Sequence, residues 1–593
     1  MTIQQLITNH LDIWTAADTE KKSGRGKSSG NAGSVYGIKK LRELILELAV
    51  RGKLVPQDES DEPASELLKR IAAEKAKLVA EGKIKKSKPL AEITDDEKPF
   101  ELPVGWEWTT LISITLINPR NNVEDDLQAS FVPMTLIGTG FNSLHDQETR
   151  LWKEIKQGFT HFAEGDVGVA KITPCFENSK ACVFSGLTNQ VGAGTTELHI
   201  IRPINMTLSP RYILAYVKSP QFLLIGESKM TGTAGQKRLP KDFVESNLFP
   251  LPPIAEQHRI VAKVDELMAL CDQLENQHNN AAEAHEKLVT HLLGSLTQSQ
   301  LTNTDSPLCK RGAGGDFNWQ RISEHFDTLF TTEASIDALK QTLLQLAVMG
   351  KLVPQDPNDE PASELLKRIQ AEKAKLIAEG KIKKDKPLVE ITEEEKSFDL
   401  PVGWEWTRLK NIVYTLGDGI HGTPKYTENT GCYFINGNNL QNGKIVIKHE
   451  TKTVALDEME KYKKNLTERT LLVSINGTIG NVAFYNEENI ILGKSACYFN
   501  LAHQIYKQYL KLLIESPYFI NYAKENVSGT TIMNLSLFSM NTFPLLIPPF
   551  EEQKSIVLKV NELVAICDQL RASITLSNQI QQKLADTLIE KIN

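Results

Sequence analysis

At 593 residues, with 41% hydrophobic and 24% charged side chains, the chain has an ordinary globular composition but exceeds one core's usual size, so about three or four structural units are expected. A net charge of −7 does not announce a nucleic-acid binder, and seven cysteines without a CxxC pair argue against a structural zinc or a disulfide frame and fit a reducing compartment. No run of eighteen apolar residues occurs, and the start MTIQQLITNHLDIW lacks a basic stretch followed by an apolar core, so no membrane contact and a cytoplasmic location are expected.

The dominant feature is a repeat. Leu41 to Trp108 returns as Leu339 to Trp406 at an offset of 298, with about three residues in four unchanged. It includes GKLVPQD at Gly52 to Asp58 and again at Gly350 to Asp356. Pro252 to Leu274 (PPIAEQHRIVAKVDELMALCDQL) returns as Pro548 to Leu570 (PPFEEQKSIVLKVNELVAICDQL) at an offset of 296. The blocks between, about 109 to 249 and 407 to 543, show no comparable identity. A tandem duplication of a large unit, and not a short solenoid period, explains this. Two near-identical frames holding two unlike inserts imply a symmetric scaffold presenting two different surfaces.

Residues 1 to 100 are expected to form a helical frame segment. SGRGKSSGNAGS, Ser23 to Ser34, reads as a flexible loop; its GKSS resembles the end of a phosphate-binding loop, but Lys21 stands where that motif needs glycine. Asp61 or Glu62 starts a helix with Pro63 in its first turn, Leu67, Leu68, Ile71 and Leu78 form its apolar stripe, and Gly82 ends it. Glu66 and Arg70 are spaced to pair across a turn, and the charged face with KIKK at Lys83 to Lys86 is most simply solvated. EGK, at Glu81 and again at Glu379, has the ExK spacing of some nucleases but lacks the preceding aspartate. Residues 101 to 250 form the first globular block.

Residues 251 to 300 carry a long helix. Ile260, Val264, Leu267, Cys271, Leu274, His278, Ala281, His285, Leu288 and Leu292 alternate spacings of four and three, the mark of a coiled coil, and Ile556, Val560, Leu563, Cys567, Leu570, Ile574, Ser577, Gln581, Leu584 and Leu588 repeat the phase. Val264, Leu267, Cys271, Leu274, Val560, Leu563, Cys567 and Leu570 are the predicted seam, with Cys271 and Cys567 as core atoms. His278 and His285, two turns apart, are too distant to share a metal ion and read as polar seam residues that fix register. About 38 helical residues rise roughly 57 Å, more than the about 34 to 36 Å of one DNA turn.

Residues 301 to 332 form a linker containing the Gly-rich CKRGAGGD, Cys309 to Asp316, and 333 to 399 a second frame segment. The second block follows at 400 to 546, and 547 to 593 form the last helix. IPPF at Ile547 is similar to the (N/D)PP(Y/F) motif of adenine methyltransferases, but Ile547 cannot accept a hydrogen bond, and the copy is LPPI. The fold expected is α+β: two globular α/β blocks separated by long antiparallel coiled-coil helices in a pseudo-two-fold tandem repeat. No nucleophile, metal cage or cofactor loop survives, so the chain reads as a binding protein and not an enzyme.

The repeated AV(R/M)GKLVPQD…DEPASELLKRI…LPVGWEW frame and the PP…EQ…IV…KV(D/N)EL…CDQL helices resemble the specificity subunit of type I restriction-modification systems, over almost the whole chain. The resemblance implies two target-recognition domains, each reading one half of a split double-stranded DNA site. It also implies repeated helices that space these domains and dock two adenine-methyltransferase (M) subunits, with restriction/translocase (R) subunits outside. S-adenosylmethionine, ATP and Mg belong, by the same resemblance, to those partners; none is expected in this chain.

Within the blocks, Gly165 to Phe184 (GDVGVAKITPCFENSKACVF), Leu416 to Tyr426 (LGDGIHGTPKY) and Phe434 to Leu440 (FINGNNL) resemble recurrent strand-and-loop stretches of such domains. They supply Lys171, Thr173, Asn178, Lys180, His421, Thr423, Lys425, Tyr426, Asn436, Asn438 and Asn439 as candidate DNA contacts. Late in each block, MTGTAGQKRL (Met230 to Leu239) and VSGTTIMNL (Val527 to Leu535) add Thr231, Thr233, Gln236, Lys237, Arg238, Thr530, Thr531 and Asn534. Gln236, Lys237 and Arg238 are suited to adenine, phosphate and guanine. Asn and Thr serve ordinary turns equally well. A two-headed coiled-coil scaffold for protein partners fits the same frame, and exchanging one block alone separates the two ideas.

Overall fold

The computed structural model describes residues 35–84, 93–141, 144–204, 207–233, 235–297, 320–384, 387–528 and 533–590, with residues 5 and 9–16. SGRGKSSGNAGS, CKRGAGGD and Lys85–Lys86 lie outside the described residues. Two compact units emerge, one of residues 1–281 with 577–593 and one of residues 282–576.

In unit 1, α1 (Tyr36–Val50) is largely buried, whereas α2 (Ala64–Ala80) buries only Ala64, Leu67 and Ile71. Pro63 caps α2, as its fixed φ and missing N–H suit a helix start. Lys75 on α2 donates to the carbonyls of Ile112 (2.6 Å), Ser113 (3.2 Å) and Thr115 (3.3 Å), fastening the frame to the block.

The block opens with β1 (Glu107–Thr110) and closes with β10 (Leu248–Leu251), which pair antiparallel. Between them lie β2 (Thr115–Ile117), β3 (Gln128–Val132), β4 (Glu148–Leu151), β5 (Thr160–Ala163), β6 (Val167–Ala170), β7 (Ala181–Val183), β8 (Val191–Gly194) and β9 (Leu198–Pro203). They build two four-stranded sheets, β2-β9-β6-β7 and β4-β3-β8-β5. Phe162 and Phe184 stack with centroids 3.7 Å apart. Helices α3 (Pro210–Val217) and α4 (Pro220–Lys229) precede α5 (Ile254–Thr297), the first long helix.

Unit 2 repeats the plan with α6 (Glu333–Val348), α7 (Ala362–Ala378) and the closing pair β11 (Glu405–Arg408) and β22 (Pro544–Ile547). Its four-stranded sheet is β12 (Val413–Asp418), β19 (Ala496–Leu501), β16 (Thr470–Ser474) and β17 (Val482–Phe484), in that spatial order. This is the order of β2-β9-β6-β7, so the two blocks share a sheet despite lacking sequence identity. The second sheet reduces to a parallel pair, β13 (Tyr433–Ile435) with β18 (Ile490–Leu492), and a hairpin of β14 (Leu440–Gln441) with β15 (Lys444–Ile445). Helices α8 (Lys507–Glu515) and α9 (Pro517–Asn526), the late hairpin of β20 (Val527–Ser528) and β21 (Asn534–Leu535), and the first part of α10 (Phe550–Glu590), up to residue 576, complete the unit. Lys373 repeats the clip of Lys75 by donating to the Lys410 carbonyl at 2.8 Å.

The doubled GKLVPQD phrase lies at a sealed corner. Gly52 has φ +68°, and a Cβ there would stand 2.4 Å from Pro103 Cγ and 2.9 Å from Trp106 Cζ2. Gln57 Nε2 donates to the Gly52 carbonyl (2.6 Å) and to Glu256 Oε1 (3.2 Å), while Trp106 Nε1 donates to Glu256 Oε2 (2.9 Å). Gln355, Glu552 and Trp404 repeat this, with Gln355 to Glu552 at 3.1 Å and Trp404 to Glu552 at 2.9 Å. Burial raises both carboxyl groups above the ordinary Glu value. The next residues, Gln257 and Gln553, are fully buried and bind the backbone N–H of Ser209 and Tyr506. GKLVPQD, LPVGWEW and PP…EQ are therefore three parts of one joint.

The predicted seam residues are buried or half-buried, in bundles rather than in a two-stranded seam. Val264, Leu267 and Cys271 share a cluster with Leu41, Leu44 and Leu48 of α1, and Arg42 pairs with Asp272 (2.7 Å) and Glu275 (2.8 Å). Ala585, Leu588 and Ile589 of α10 join that cluster, and Tyr36 donates to Asp586 at 2.8 Å. In unit 2, Leu563, Cys567 and Leu570 pack with Ile336, Leu339 and Leu343 of α6 and with Val289, Leu293 and Leu296 of α5. Farther along each long helix the predicted phase slips. Leu288 and Leu584 are exposed, while Val289 and Ala585 are buried. The two stretches of each long helix pack in different clusters, and the 3.6-residue turn of an α-helix drifts against a 3.5-residue repeat, so the buried stripe moves one residue forward. His285 bonds the Thr328 carbonyl at 3.1 Å, so its partner is the segment before α6 and not the other long helix.

Candidate nucleic-acid interface

In both blocks the polar loops gather at one end of the shared sheet. In unit 1, strand β6 ends beside the start of β9, because Ala170 registers with Leu198 and Lys171 N–H donates to the Glu197 carbonyl at 2.9 Å. The late hairpin docks there. Thr231 and Arg238 exchange backbone hydrogen bonds of 3.1 and 2.8 Å, Leu239 N–H donates to Lys171 O (2.7 Å), and Thr173 N–H donates to Lys237 O (3.0 Å). His199 Nε2 sits 2.9 Å from Leu239 O under the hairpin, and burial lowers its pKa. The structure thus joins the two stretches of the first block that the sequence offers separately.

Thr231, Thr233, Gln236, Lys237, Arg238 and Asn178 are exposed on this surface and Lys171 is half-buried. Two candidates serve the fold instead. Thr173 is buried, and its Oγ1 accepts from Lys237 N–H at 3.1 Å. Lys180 is half-buried, with its ammonium on the Met134 carbonyl at 3.0 Å. Arg238 is gripped by Glu197, Nε to Oε2 at 3.0 Å and Nη2 to Oε1 at 2.8 Å. That grip holds the Glu197 carboxyl below the ordinary range.

In unit 2 the same end is reached by register. Asp418 pairs with Cys497, and Val473 pairs with Cys497 from the other side, so β12 and β16 both end where β19 begins. His421 lies three residues beyond β12 with Nε2 2.7 Å from Asp418 Oδ2, and His421, Thr423, Lys425 and Tyr426 are exposed. Asn436 reaches this end through Ser495, whose Oγ donates to Asn436 Oδ1 at 3.0 Å. Asn534 arrives from the late hairpin, its Oδ1 accepting from Asn476 Nδ2 at 3.1 Å. Asn438 is exposed, but Asn439 is a correction. It is buried, donates to Val446 O (3.0 Å) and Thr451 Oγ1 (3.1 Å), and accepts from Asn436 N–H (3.0 Å), so both its donors are committed to the loop and not to a base. Thr530 and Thr531 lie outside the described residues.

The shared sheet also identifies residues missed from sequence. The counterpart of β6, Lys171–Lys180 and β7 is β16, Ile475–Asn481 and β17, since both late hairpins bridge to this loop, at Ile172 with Arg238 and at Asn476 with Asn534. Asn476 and Thr478, with exposed Lys494 just before β19, thereby join the surface. The available signal was TLLVSINGTIG, a buried strand running into Asn-Gly.

Behind the surface the blocks differ in charge. Asp166, before β6, is buried and paired with Arg202 at 2.7 Å, yet burial raises its pKa. At the matching place, Arg469 donates to Ala502 O at 2.7 Å. Among the described residues no group of three or more His, Cys, Asp or Glu side chains can hold a metal ion, and no helix is long and apolar enough to cross a membrane.

Residues 401–585 match the model of the type I restriction modification DNA specificity domain. The specificity subunit of the type I restriction enzyme EcoAI of Escherichia coli is 50% identical over 604 aligned positions, covering 100% of this chain and 99% of that protein. The chain belongs to the type I restriction specificity subunits. The EcoEI specificity subunit of E. coli is 48% identical, again over 100% of this chain and 99% of the relative. A solved HsdS subunit from Thermoanaerobacter tengcongensis aligns at 17% identity and TM-score 0.41, over 84% of this chain and 98% of that one; membership rests on the sequence relatives. As a type I specificity subunit, the protein is the non-catalytic component of its restriction-modification system and determines its DNA specificity.

Proposed function

We propose that this specificity subunit reads a bipartite, asymmetric sequence in double-stranded DNA, unit 1 taking one half and unit 2 the other, within a cytoplasmic complex. The carrying observation is that one sheet, in two copies, gathers different polar side chains at the same end: Lys171, Gln236, Lys237 and Arg238 in unit 1, against His421, Asn436, Asn476 and Asn534 in unit 2. The scaffold is held constant while the donors and acceptors change, as separate direct readout of two half-sites requires.

The same reading includes two adenine-methyltransferase subunits, with restriction/translocase subunits beyond them. S-adenosylmethionine, ATP and Mg are bound by those subunits. Support for two equivalent seats comes from an inversion of the usual relation between burial and identity. Helices α2 and α7 bury only three and four of their 17 residues, yet differ at two positions, Ala72/Gln370 and Val79/Ile377. The better-buried α1 differs from residues 334–348 at nine of 15 positions. Solvated faces drift most freely, so near-identity of two exposed helices favours one kind of partner touching both.

The test is to purify the chain with its methyltransferase partner and map the adenines it methylates. One bipartite asymmetric motif is expected; methylation without a shared motif overturns the reading. Reversing the exposed charges Lys69, Arg70, Lys367 and Arg368 together should weaken assembly, measured by mass photometry, without changing the motif. Full assembly of that variant would remove α2 and α7 as seats.

A further inference from the structure

Arg238 differs from the other cations of the unit 1 surface in being aimed. Backbone bonds to Thr231 on both its N–H and its carbonyl fix the Arg238 main chain, and a bridge to Ile172 fixes the hairpin on the sheet. Its side chain is 50% exposed, and the Nε–Nη2 edge of its guanidinium lies against Glu197, at 3.0–3.2 Å from Nε and 2.8 Å from Nη2. Glu197 is itself anchored, its carbonyl accepting from Lys171 N–H at 2.9 Å and its N–H donating to Thr195 Oγ1 at 3.1 Å. Among the described residues no partner takes Nη1, so the end-on Nη1–Nη2 fork stays open.

We propose that Glu197 is a positioning residue that sets Arg238 to read a guanine in the half-site taken by unit 1. An end-on guanidinium fork presents two parallel N–H donors, the complement of O6 and N7 on the major-groove edge of guanine. The alternative use of an exposed arginine is a phosphate contact, which depends on net positive charge. Here Glu197 cancels that charge, whereas Lys171 and Lys237 nearby carry charge without a fork. A neutral ion pair gains little from the backbone and keeps its geometric selectivity. In unit 2 the matching bridge holds Asn476 and Asn534, with no arginine, so the effect belongs to one half-site. The inference rests on the reading of the two units as half-site readers.

The experiment uses the complete complex with its methyltransferase subunits and duplexes in which each base pair of the recognised site is replaced in turn. Arg238→Lys keeps the charge and removes the fork; discrimination at one guanine of the unit 1 half-site should fall roughly 5- to 150-fold, the range for a bidentate base contact, with every other position unchanged. Glu197→Gln should relax discrimination at that same guanine, raise affinity for non-cognate DNA, and steepen the slope of log affinity against log salt by about 1. Glu197→Asp should restore part of the discrimination. A purely structural role would lower binding to all sequences together and leave the salt slope unchanged. Unchanged discrimination in Arg238→Lys, or a loss spread evenly over both half-sites, overturns the proposal while the half-site reading stands. A wild-type complex without sequence preference overturns both.

Discussion

Replacing Gly52 by alanine tests the joint that the doubled phrase builds. Gly52 and Gly82 have nearly the same backbone, φ +68° and +70°, but a Cβ at Gly82 meets nothing within 4 Å, whereas at Gly52 it falls 2.4 Å from Pro103 Cγ and 2.9 Å from Trp106 Cζ2. Both alanines share the cost of a left-handed conformation, about 1–2 kcal/mol. Gly52→Ala adds overpacking of about 1–3 kcal/mol, because Trp106 is held by Glu256 and cannot retreat without leaving a buried carboxylate short of a donor. At about 2–4 °C per kcal/mol, Gly52→Ala should melt roughly 2–12 °C below Gly82→Ala. Gly350→Ala should behave alike, since its Cβ would stand 2.5 Å from Pro401 Cγ and 3.0 Å from Trp404 Cζ2. Thermal unfolding followed by tryptophan fluorescence measures this directly. Equal melting of Gly52→Ala and Gly82→Ala would refute the argument that packing, beyond backbone conformation, dictates this glycine.

Arg202→Met should destabilise unit 1 by about 3–5 kcal/mol in denaturant titration, because it strands the buried Asp166 carboxylate; a loss below about 1 kcal/mol would mean that Asp166 is readily hydrated. The raised carboxyl pKa of Glu256 and Glu552 gives a pH signature. Each binds its proton more tightly when folded, so its stabilising contribution is fully present below the ordinary value of 4.5 and is lost as pH rises through the raised value. The unfolding free energy of the wild type, relative to a Glu256→Gln, Glu552→Gln double variant, should therefore decline from about pH 4.5 upward and then level off. A pH-independent difference would contradict it.

The frame was legible because duplication marks it. Two copies of GKLVPQD, LPVGWEW and PP…EQ reveal that these segments matter together, although only the structure shows Gln57, Trp106 and Glu256 meeting. The blocks were less legible. The equivalence of VAKITP with VSINGT is carried by strand order and not by identity, so sequence alone does not mark Asn476 as a surface residue or Asn439 as a buried one. Asparagine and threonine look the same in sequence whether they face solvent or satisfy backbone, as Thr173 and Asn439 do. The phase of the long helices was set by what each stretch packs against, so a pattern read from Val264 to Leu274 does not extend to Leu288.

The central claim, two independent readers on one duplicated frame, is tested most directly by a block exchange. Residues 400–546 would be replaced by the corresponding segment of a relative with a different site, and methylated adenines mapped across the genome of a strain carrying the complete complex. One half of the bipartite motif should change to that of the donor while the other half, read by unit 1, stays the same. A motif altered in both halves, or in neither, would contradict the account.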